Sequence, residues 1–207
     1  TVTAKTEDGG FTATQTITVK YAPELTRDYY GKCGKNLYWT LYSNGTMYIT
    51  GTGAMTFDNI PWDSCRSSIK SVIIGDGVTT IWSGAFRGYE NLVSVRIGKS
   101  VVGIGSSAFY NCISLVSITI PDSVTSIGAS AFYNCTSLVS ITLPDNITSI
   151  GWDAFGNCTS LVGIEIPDSV INIDRYTFIN CTSLASITLP DSITSIGEAA
   201  FTNCENL

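Results

Sequence analysis

The sequence contains no histidine, and only 14% of its 207 residues are charged; a typical charged fraction is about 25%. Without histidine there can be no Ser–His or Cys–His nucleophile pair, and the commonest zinc ligand is missing. No apolar run approaches the roughly 18 residues of a membrane-spanning helix. A formal net charge of −6 argues against nucleic-acid binding, which needs a basic surface. We therefore expect no catalytic residue, no cofactor, no metal site and no membrane insertion.

What the sequence does contain is one motif, repeated in tandem. NCTSLVSITLPDNITSIG begins at Asn134, and close variants begin at Asn157 and Asn180. A leucine or isoleucine returns every 23 residues, and six full units run from 69 to 206. A fixed period of this length predicts a solenoid. We number the positions of each unit as slots 1–23 and the units as coils 1–6, which begin at Ile69, Leu92, Leu115, Leu138, Leu161 and Leu184, with Leu207 opening a seventh unit.

Within a unit the apolar residues occupy slots 1, 4, 6, 10, 13, 17, 18 and 21. The short spacings favour two short strands, because a helix face needs a longer 3.6-residue pattern. Pro-Asp at slots 7 and 8 indicates a turn in which the aspartate caps its own backbone. Glycine at slot 14 indicates a second bend. One such coil buries too little to fold alone, so the coils must stack. In coil 3 the apolar residues are Leu115, Ile118, Ile120, Val124, Ile127, Ala131, Phe132 and Cys135.

The unit L-x-x-I-x-I-P-D-S-V-x-x-I-G-x-x-A-F-x-N-C resembles the BspA-type (Treponema-type) leucine-rich repeat of bacterial and some protozoan surface proteins. The resemblance covers 69–207 and implies extracellular display, with adhesion or protein binding and no catalysis. Slot 9 holds Ser or Asn, so we expect a second strand and a short Ala-Phe turn in place of the usual helix. The predicted fold is mainly β: a right-handed leucine-rich-repeat solenoid of 23-residue coils with an N-terminal β-hairpin cap.

Two segments precede the repeats. Residues 36–43 and 46–53 flank Asn44-Gly45 and predict a hairpin with a tight turn; residues 33–55 also resemble the cap of gut bacterial surface proteins with such repeats. Residues 1–22 alternate Thr with apolar residues around a turn at 7–10, and resemble the last hairpin of a bacterial immunoglobulin-like domain. We therefore expect this truncated domain at 1–22, a linker (22–24) and cap within 23–68, and the solenoid at 69–207. The missing start methionine and the incomplete last unit favour a fragment of a longer secreted or wall-attached protein.

Five of the seven cysteines occupy slot 21, one in each of coils 2–6. Stacked strands lie about 4.8 Å apart, which permits disulfides on distance alone. However, slot 21 is a core position, and a buried free cysteine behaves as a small hydrophobe. We predict a column of reduced thiols at Cys112, Cys135, Cys158, Cys181 and Cys204. The single cysteines, 23 residues apart, do not favour zinc. For Cys33 and Cys65 we favour two separate buried thiols over a bridge.

The acidic residues at slot 8 admit a second interpretation. A column of carboxylates can hold a hard cation such as Ca²⁺, or supply a pair for glycoside hydrolysis, although Lys99 interrupts it. We favour the structural role in the turn. The column consists of Asp76, Asp122, Asp145, Asp168 and Asp191.

Departures from the repeated motif concentrate in coils 4 and 5. Slot 15 changes to Trp152, Arg175 and then Glu198, and slot 16 to Asp153 and Tyr176. We expect stacking to produce a cation–π contact between Trp152 and Arg175 and an ion pair between Arg175 and Glu198. These contacts either decorate an edge or form a binding hot spot, since Trp, Tyr and Arg dominate interface energetics. The candidate partner-binding residues are Trp152, Asp153, Arg175 and Tyr176. Two further departures are Asp174 at slot 14 and Glu165 at slot 5, which we place on the other strand.

The function predicted from these features is a non-enzymatic cell-surface module for adhesion or protein–protein binding. Its partner would be a macromolecule: a host or neighbouring-cell protein, or a glycan. One alternative is a structural stalk that spaces another domain from the cell wall. A second is carbohydrate binding through Tyr38, Trp39, Tyr42 and Tyr48 of the hairpin, unless one face of that hairpin seals the end of the solenoid. We expect the protein at the bacterial cell surface or secreted.

Overall fold

The computed structural model describes residues 2–5, 14–17, 26–56 and 58–207, the first two segments by their backbone alone. Strands β1 (Val2–Lys5) and β2 (Thr14–Ile17) pair antiparallel, as the alternating sequence predicts. The predicted turn at 7–10 and the linker at 22–24 lie outside the described residues. The assignment of this pair to an immunoglobulin-like domain stays a prediction.

The cap is a three-stranded antiparallel sheet made of β3 (Arg27–Gly34), β4 (Asn36–Tyr42) and β5 (Thr46–Ala54). The predicted hairpin is confirmed as β4 and β5. In its turn the Thr46 amide donates to Asn44 Oδ1 at 2.9 Å. Strand β3 was missed, because its first four residues are all exposed and show no alternation of apolar and polar side chains.

A 3₁₀-helix (Asp63–Ser68) leads into the coils, and each coil then supplies residues to two parallel strand columns. Partner residues in neighbouring coils are 23 positions apart, for example Ser94 opposite Ser71 and Ser117 opposite Ser94. This arrangement confirms the parallel β-solenoid and its period. The first-strand column contains β6 (Ser71–Ile74), β8 (Ser94–Arg96), β10 (Ser117–Thr119), β13 (Gly163–Glu165) and β15 (Ser186–Thr188). The second-strand column contains β7 (Val78–Ile81), β9 (Gly103–Ile104), β11 (Ser126–Ile127), β12 (Ser149–Ile150), β14 (Asn172–Ile173) and β16 (Ser195–Ile196).

Strand β5 is the template for both columns. Its first part pairs with β6, from Thr46 opposite Ser71, and its last part pairs with β7, where Gly53 lies opposite Val78. The chain bends between the two parts at Gly51 and Gly53, whose φ angles are 107° and 109°. Only glycine adopts such angles at low cost. The cap therefore offers coil 1 two strand edges, arranged as in a coil, with which β6 and β7 pair.

The third side of each coil is a tight turn, as predicted, and carries no helix in the described coils. Slots 16 and 20 both have positive φ, for example 53° at Ser130 and 58° at Asn134. Their amides point along the solenoid: Ser130 N–H donates to the Trp152 carbonyl at 2.9 Å and Asn134 N–H to the Gly156 carbonyl at 2.8 Å. Asparagine tolerates the left-handed region, which explains its recurrence at slot 20. The slot-20 asparagine side chains also hydrogen-bond from coil to coil, as where Asn180 Nδ2 donates to Asn157 Oδ1 at 2.6 Å.

The apolar core contains a continuous stack of aromatic rings and a column of cysteines among its aliphatic side chains. The slot-18 phenylalanines lie 5.5 Å apart from Phe86 to Phe201, and Trp62 begins the stack at the same distance from Phe86. The predicted thiol column is present. Each slot-21 thiol donates to the slot-18 carbonyl one coil earlier, for example Cys135 Sγ to Phe109 O at 3.2 Å. All seven cysteines are free thiols, including the buried Cys33 and Cys65.

The slot-8 aspartates do not cap their own turns within residues 58–207, contrary to our expectation. The turn closes through the backbone, as where Val124 N–H donates to the Pro121 carbonyl at 3.0 Å. The side-chain bond comes from slot 9, whose hydroxyl or amide reaches the preceding coil: Ser123 Oγ donates to Val101 O at 2.7 Å and Ser169 Oγ to Asp145 O at 2.8 Å. Between coils 2 and 6, slot 9 rather than slot 8 therefore ties one turn to the next.

Candidate functional site

Trp152 and Arg175 meet at the edge of coils 4 and 5, as predicted. The Arg175 guanidinium carbon lies 5.4 Å from the centre of the Trp152 ring, and 43% of the Trp152 side chain is exposed. The expected ion pair of Arg175 with Glu198 is wrong: among residues 58–207 no carboxylate oxygen lies within 4.0 Å of the Arg175 guanidinium nitrogens. The Arg175 charge is therefore partnered by an indole face and remains available on its other side.

Asp153 and Tyr176 occupy slot 16 beside this pair, and both have φ of 61°. Both are half-buried, and partial burial raises the pKa of the Asp153 carboxyl. Their amides continue the turn ladder, since Asp153 N–H donates to Arg175 O at 3.1 Å and Tyr176 N–H to Glu198 O at 2.9 Å. The structure therefore places the four candidate residues on one edge of two adjacent coils.

The spacing of the coils explains the glycines at slot 14. A Cβ added at Gly151 would lie 2.5 Å from Ala129 N, and one added at Gly197 would lie 2.4 Å from Arg175 N. Real Cβ atoms do not approach backbone atoms so closely. Slot 14 therefore needs glycine because the neighbouring backbone packs against it; our interpretation of a bend missed this reason.

Slot 14 is not glycine in two coils: in coil 1, which follows the cap, it is Trp82, and in coil 5 it is Asp174, where the second-strand column opens. In coil 4 the Gly151 amide donates to Ile127 O and the Thr148 amide to Thr125 O, both at 2.9 Å. Within the described part of the chain, the corresponding amides of Asp174 and Ile171 donate to no backbone carbonyl, and β12 does not pair with β14. We call the boundary formed by residues 148–150 and 171–174 the open junction.

The turn side of this boundary stays closed. On the turn side Phe155 N–H donates to Thr177 O at 2.9 Å and Asn157 N–H to Ile179 O at 2.8 Å. The rings of Phe155 and Phe178 keep the ordinary 5.5 Å spacing. Asp174 Oδ1 accepts from the Arg175 amide at 2.7 Å. The residue that opens the junction therefore also fixes the start of the turn that carries Arg175.

A groove of about 690 Å³ lies on the first-strand face of coils 4–6. Its lining includes Asp145, Glu165 and Asp168 together with Thr142 and Thr188, and contains no basic residue. Glu165 lies on β13, apart from the Trp152 edge, as its slot predicts. Sequence reasoning placed Glu165 correctly but gave no sign of a groove, since this depends on the spacing of the coils.

The four cap aromatics that we considered for sugar binding differ in exposure. Trp39 is only 5% exposed and contacts Trp62 edge-on at 5.9 Å, so it seals the end of the solenoid. Tyr42 and Tyr48 are half-buried and contact each other edge-on at 5.6 Å. Tyr38 alone of the four is well exposed, at 48%. The sealing role is therefore correct for Trp39.

No group of His, Cys, Asp and Glu residues suited to a metal ion occurs in the described part of the chain. Asp76, at the start of the acidic column, accepts from the Lys99 amide at 3.2 Å, and Lys99 Nζ lies 3.9 Å from its other oxygen. Of the described helices, none has the length and apolar character to cross a membrane.

Comparisons with known proteins agree with the repeat architecture. The family model of the BspA type leucine rich repeat region, in six copies, matches residues 62–184 and 153–207. No curated protein matches the chain.

Solved structures share the fold. A leucine-rich repeat protein of T. pallidum is 28% identical, with a TM-score of 0.68, over 84% of this chain and 88% of that one. A leucine-rich cell surface protein of Faecalibacterium prausnitzii is 32% identical, with a TM-score of 0.61, over 88% of this chain and 47% of its own. A leucine-rich repeat protein of Bacteroides ovatus, 22% identical, has a TM-score of 0.59, over 90% of this chain and 57% of its own. The chain thus spans about half the length of the last two, and none of the three is described as an enzyme.

Proposed function

Because the chain belongs to the family of BspA type leucine rich repeat regions, we propose that it is a non-enzymatic module that binds another protein through the Trp152–Arg175 edge. Repeat families of this kind use stacked coils as binding surfaces. We further propose that the module acts outside the cell, in adhesion. The description of the F. prausnitzii relative as a cell surface protein supports that location.

The observation that carries the proposal is the exposed Trp152 ring with Arg175 stacked on it. The same slot holds Ser83, Ser106 and Ala129 in coils 1–3. Tryptophan and arginine are enriched among the few residues that dominate the binding energy of protein interfaces. An indole already oriented by a cation also loses less side-chain freedom on binding.

The open junction supports the same edge as the site. The amide of Asp174, directly before Arg175 and Tyr176, and the amide of Ile171, at the other end of β14, have no backbone acceptor within residues 58–207. Elsewhere in the second-strand column these donors are used within the solenoid. A protein partner docking on the edge can therefore gain backbone hydrogen bonds in addition to contacts with the side chains.

The test replaces Trp152 and Tyr176 with serine in one variant. Serine already occupies slot 15 at Ser106 and slot 16 at Ser130, where φ is 53°, so the variant restores the common sequence without strain. Its binding to immobilised host matrix proteins and to intact host cells is compared with wild type by surface plasmon resonance and adhesion counts. Trp82→Ser is the matched control, because Trp82 is also 43% exposed and lies in coil 1.

We expect the double variant to lose at least ten-fold in binding at an unchanged melting temperature, with Trp82→Ser close to wild type. If the double variant binds as well as wild type, this edge is not the site. If wild type binds none of these targets, the adhesion proposal is wrong and the stalk role is favoured.

A further inference from the structure

A row of exposed valines follows the edge of the first-strand column. Slot 2 holds Val93, Val116, Val139 and Val162 in coils 2–5, each 45–50% exposed. The row is held in two pairs: Val116 N–H donates to Val93 O at 2.9 Å and Val162 N–H to Val139 O at 3.1 Å, whereas among residues 58–207 no backbone bond joins Val139 to Val116. Single exposed valines need no explanation, but a contiguous apolar row indicates an interaction surface.

Opposite charges mark the two ends of this row. Slot 5, on the outward side of the same strands, holds Arg96 in coil 2 and Glu165 in coil 5, with Thr119 and Thr142 between them. Both charged residues are exposed. Among residues 58–207 neither Arg96 nor Glu165 takes part in an ion pair. The valine face, defined as slots 2–5 of coils 2–5, is therefore positive at one end and negative at the other.

We propose that the valine face is the interface of a homodimer in which two copies pack antiparallel. A two-fold axis along the strands, between coils 3 and 4, brings each slot against the same slot of the second copy. Coil 2 then faces coil 5, and coil 3 faces coil 4. Arg96 meets Glu165 of the partner subunit, and the reciprocal contact repeats it, as an isologous interface requires. The valines pair in the same way, coil 2 with coil 5 and coil 3 with coil 4.

The groove beside Glu165 fits this occupant. It contains three carboxylates and no cation of its own, and the two-fold axis directs Arg96 of the partner subunit toward it. At slot 8 the same axis brings Lys99 toward Asp168 of the partner subunit. It also brings Asp122 toward Asp145 of the partner subunit. That repulsion lies between exposed turns at the border of the face, where salt screens it.

The interface would be weak. Four coils of about 4.8 Å rise and a strip some four residues wide give far less than the roughly 800 Å² per partner of a standard interface. We therefore expect a monomer–dimer equilibrium at high micromolar concentration, measurable by sedimentation equilibrium. The Trp152–Arg175 edge lies beyond the second strand and stays accessible, so this proposal and the proposed function can fail separately.

The test uses Arg96→Glu and Glu165→Arg in the 207-residue chain. Each variant alone places like charges at both ends of the dimer, so we expect its dimer dissociation constant to rise at least ten-fold. In an equimolar mixture, the new glutamate of one variant meets the new arginine of the other, and the native Glu165 of the first meets the native Arg96 of the second. The mixture should therefore form a heterodimer as stable as the wild-type homodimer. Glu198→Arg, which reverses an exposed charge on the opposite edge of the coils, is the control and should dimerise normally.

A wild-type chain that stays monomeric up to about 1 mM would overturn the proposal. So would single variants that dimerise like wild type, or a mixture that fails to associate. Melting temperatures are expected to stay unchanged in all three variants, because the substituted side chains are exposed and make no contact within the core.

Discussion

The boundary between coils 3 and 4 and the boundary between coils 4 and 5 have nearly the same core but different second-strand columns. At the first, Gly151 lets the backbones approach, and its amide donates to Ile127 O at 2.9 Å. At the second, Asp174 takes the glycine position and the corresponding bond is absent from the described residues. The phenylalanine rings are 5.5 Å apart at both boundaries.

The difference shows that the two sides of a coil have separate requirements. The turn side and the aromatic stack keep the spacing of the coils, whereas close backbone contact at slot 14 decides whether the second-strand column forms. We infer that the Cβ of Asp174 opens that column, because a Cβ added at Gly105, Gly128, Gly151 or Gly197 would lie within 2.8 Å of the neighbouring backbone. The altered residues of the candidate site lie beside this opening.

The largest loss of stability is expected in the aromatic stack, which the two boundaries share. Phe132→Ala and Phe155→Ala each remove a fully buried ring, and each should lower the free energy of unfolding by about 3–5 kcal/mol. Thr119→Ala, on the exposed side of β10, should stay within about 0.5 kcal/mol. Denaturant titrations measure all three. A much smaller cost at Phe155 would show that the opening extends into the aromatic stack.

Adding a side chain at an intact boundary should reproduce the opening. In Gly105→Asp the new Cβ would lie 2.6 Å from Ser83 N, so the coil must move and two ladder bonds must break. We expect a loss of about 2–4 kcal/mol from overpacking and lost hydrogen bonds. Ser106→Asp adds the same charge at the next, exposed position and should be nearly neutral. Equal losses from the two variants in denaturant titrations would remove the special role of slot 14.

The reverse change should close the open junction. Asp174→Gly allows two ladder bonds worth about 0.5–1.5 kcal/mol each, offset by the greater chain entropy of glycine, about 0.5–1 kcal/mol. We expect a net gain of about 1 kcal/mol, or a rise of roughly 2–4 °C in the melting temperature. Asp191→Gly, at an exposed turn, should give no gain in the same calorimetric scans. A lower melting temperature for Asp174→Gly would contradict the proposed cause of the opening.

The smallest difference between the two boundaries is expected in the reactivity of the thiols, which lie on the turn side of both. Burial raises the pKa of Cys181 to about 12 and that of Cys135 well above its usual value, so neither carries appreciable thiolate at about pH 8. We expect both to resist alkylation equally in the folded protein and to react after unfolding without reductant. Cys204, only half-buried, should react first. Mass spectrometry of timed samples would contradict this view if Cys181 reacted well before Cys135.

The sequence alone predicted which residues of a coil face the core and where its turns lie, although not the role of the slot-8 aspartates. Apolar slots such as Phe132 and Cys135 fall in the core because the period places them there, and the cap hairpin follows from Asn44-Gly45. The contact of Trp152 with Arg175 followed from stacking the same slot of two adjacent coils. Each of these predictions needs only the period and the alternation of side chains.

The misses depend on distances that a repeat does not encode. Glycine at slot 14 was interpreted as a bend, since only the coil spacing reveals the close approach. The ion pair of Arg175 with Glu198 failed because side-chain reach, unlike slot order, depends on the local turn. Strand β3 has no alternating pattern to detect. In the first-strand column, coil 4 contributes only a bridge at Ser140, although it has the same Ser-Ile-Thr as coils 3 and 6, and nothing in the structure explains this interruption.

Hydrogen exchange of individual amides tests most directly whether Asp174 opens the second-strand column. The amides of Thr148, Gly151, Thr194 and Gly197 all donate to the neighbouring coil, whereas those of Ile171 and Asp174 find no backbone acceptor in the described chain. Measured by NMR at about pH 7, Ile171 and Asp174 should exchange at least ten-fold faster than the other four, and should become protected in Asp174→Gly. Equal protection of all six amides in the wild-type chain would contradict the account.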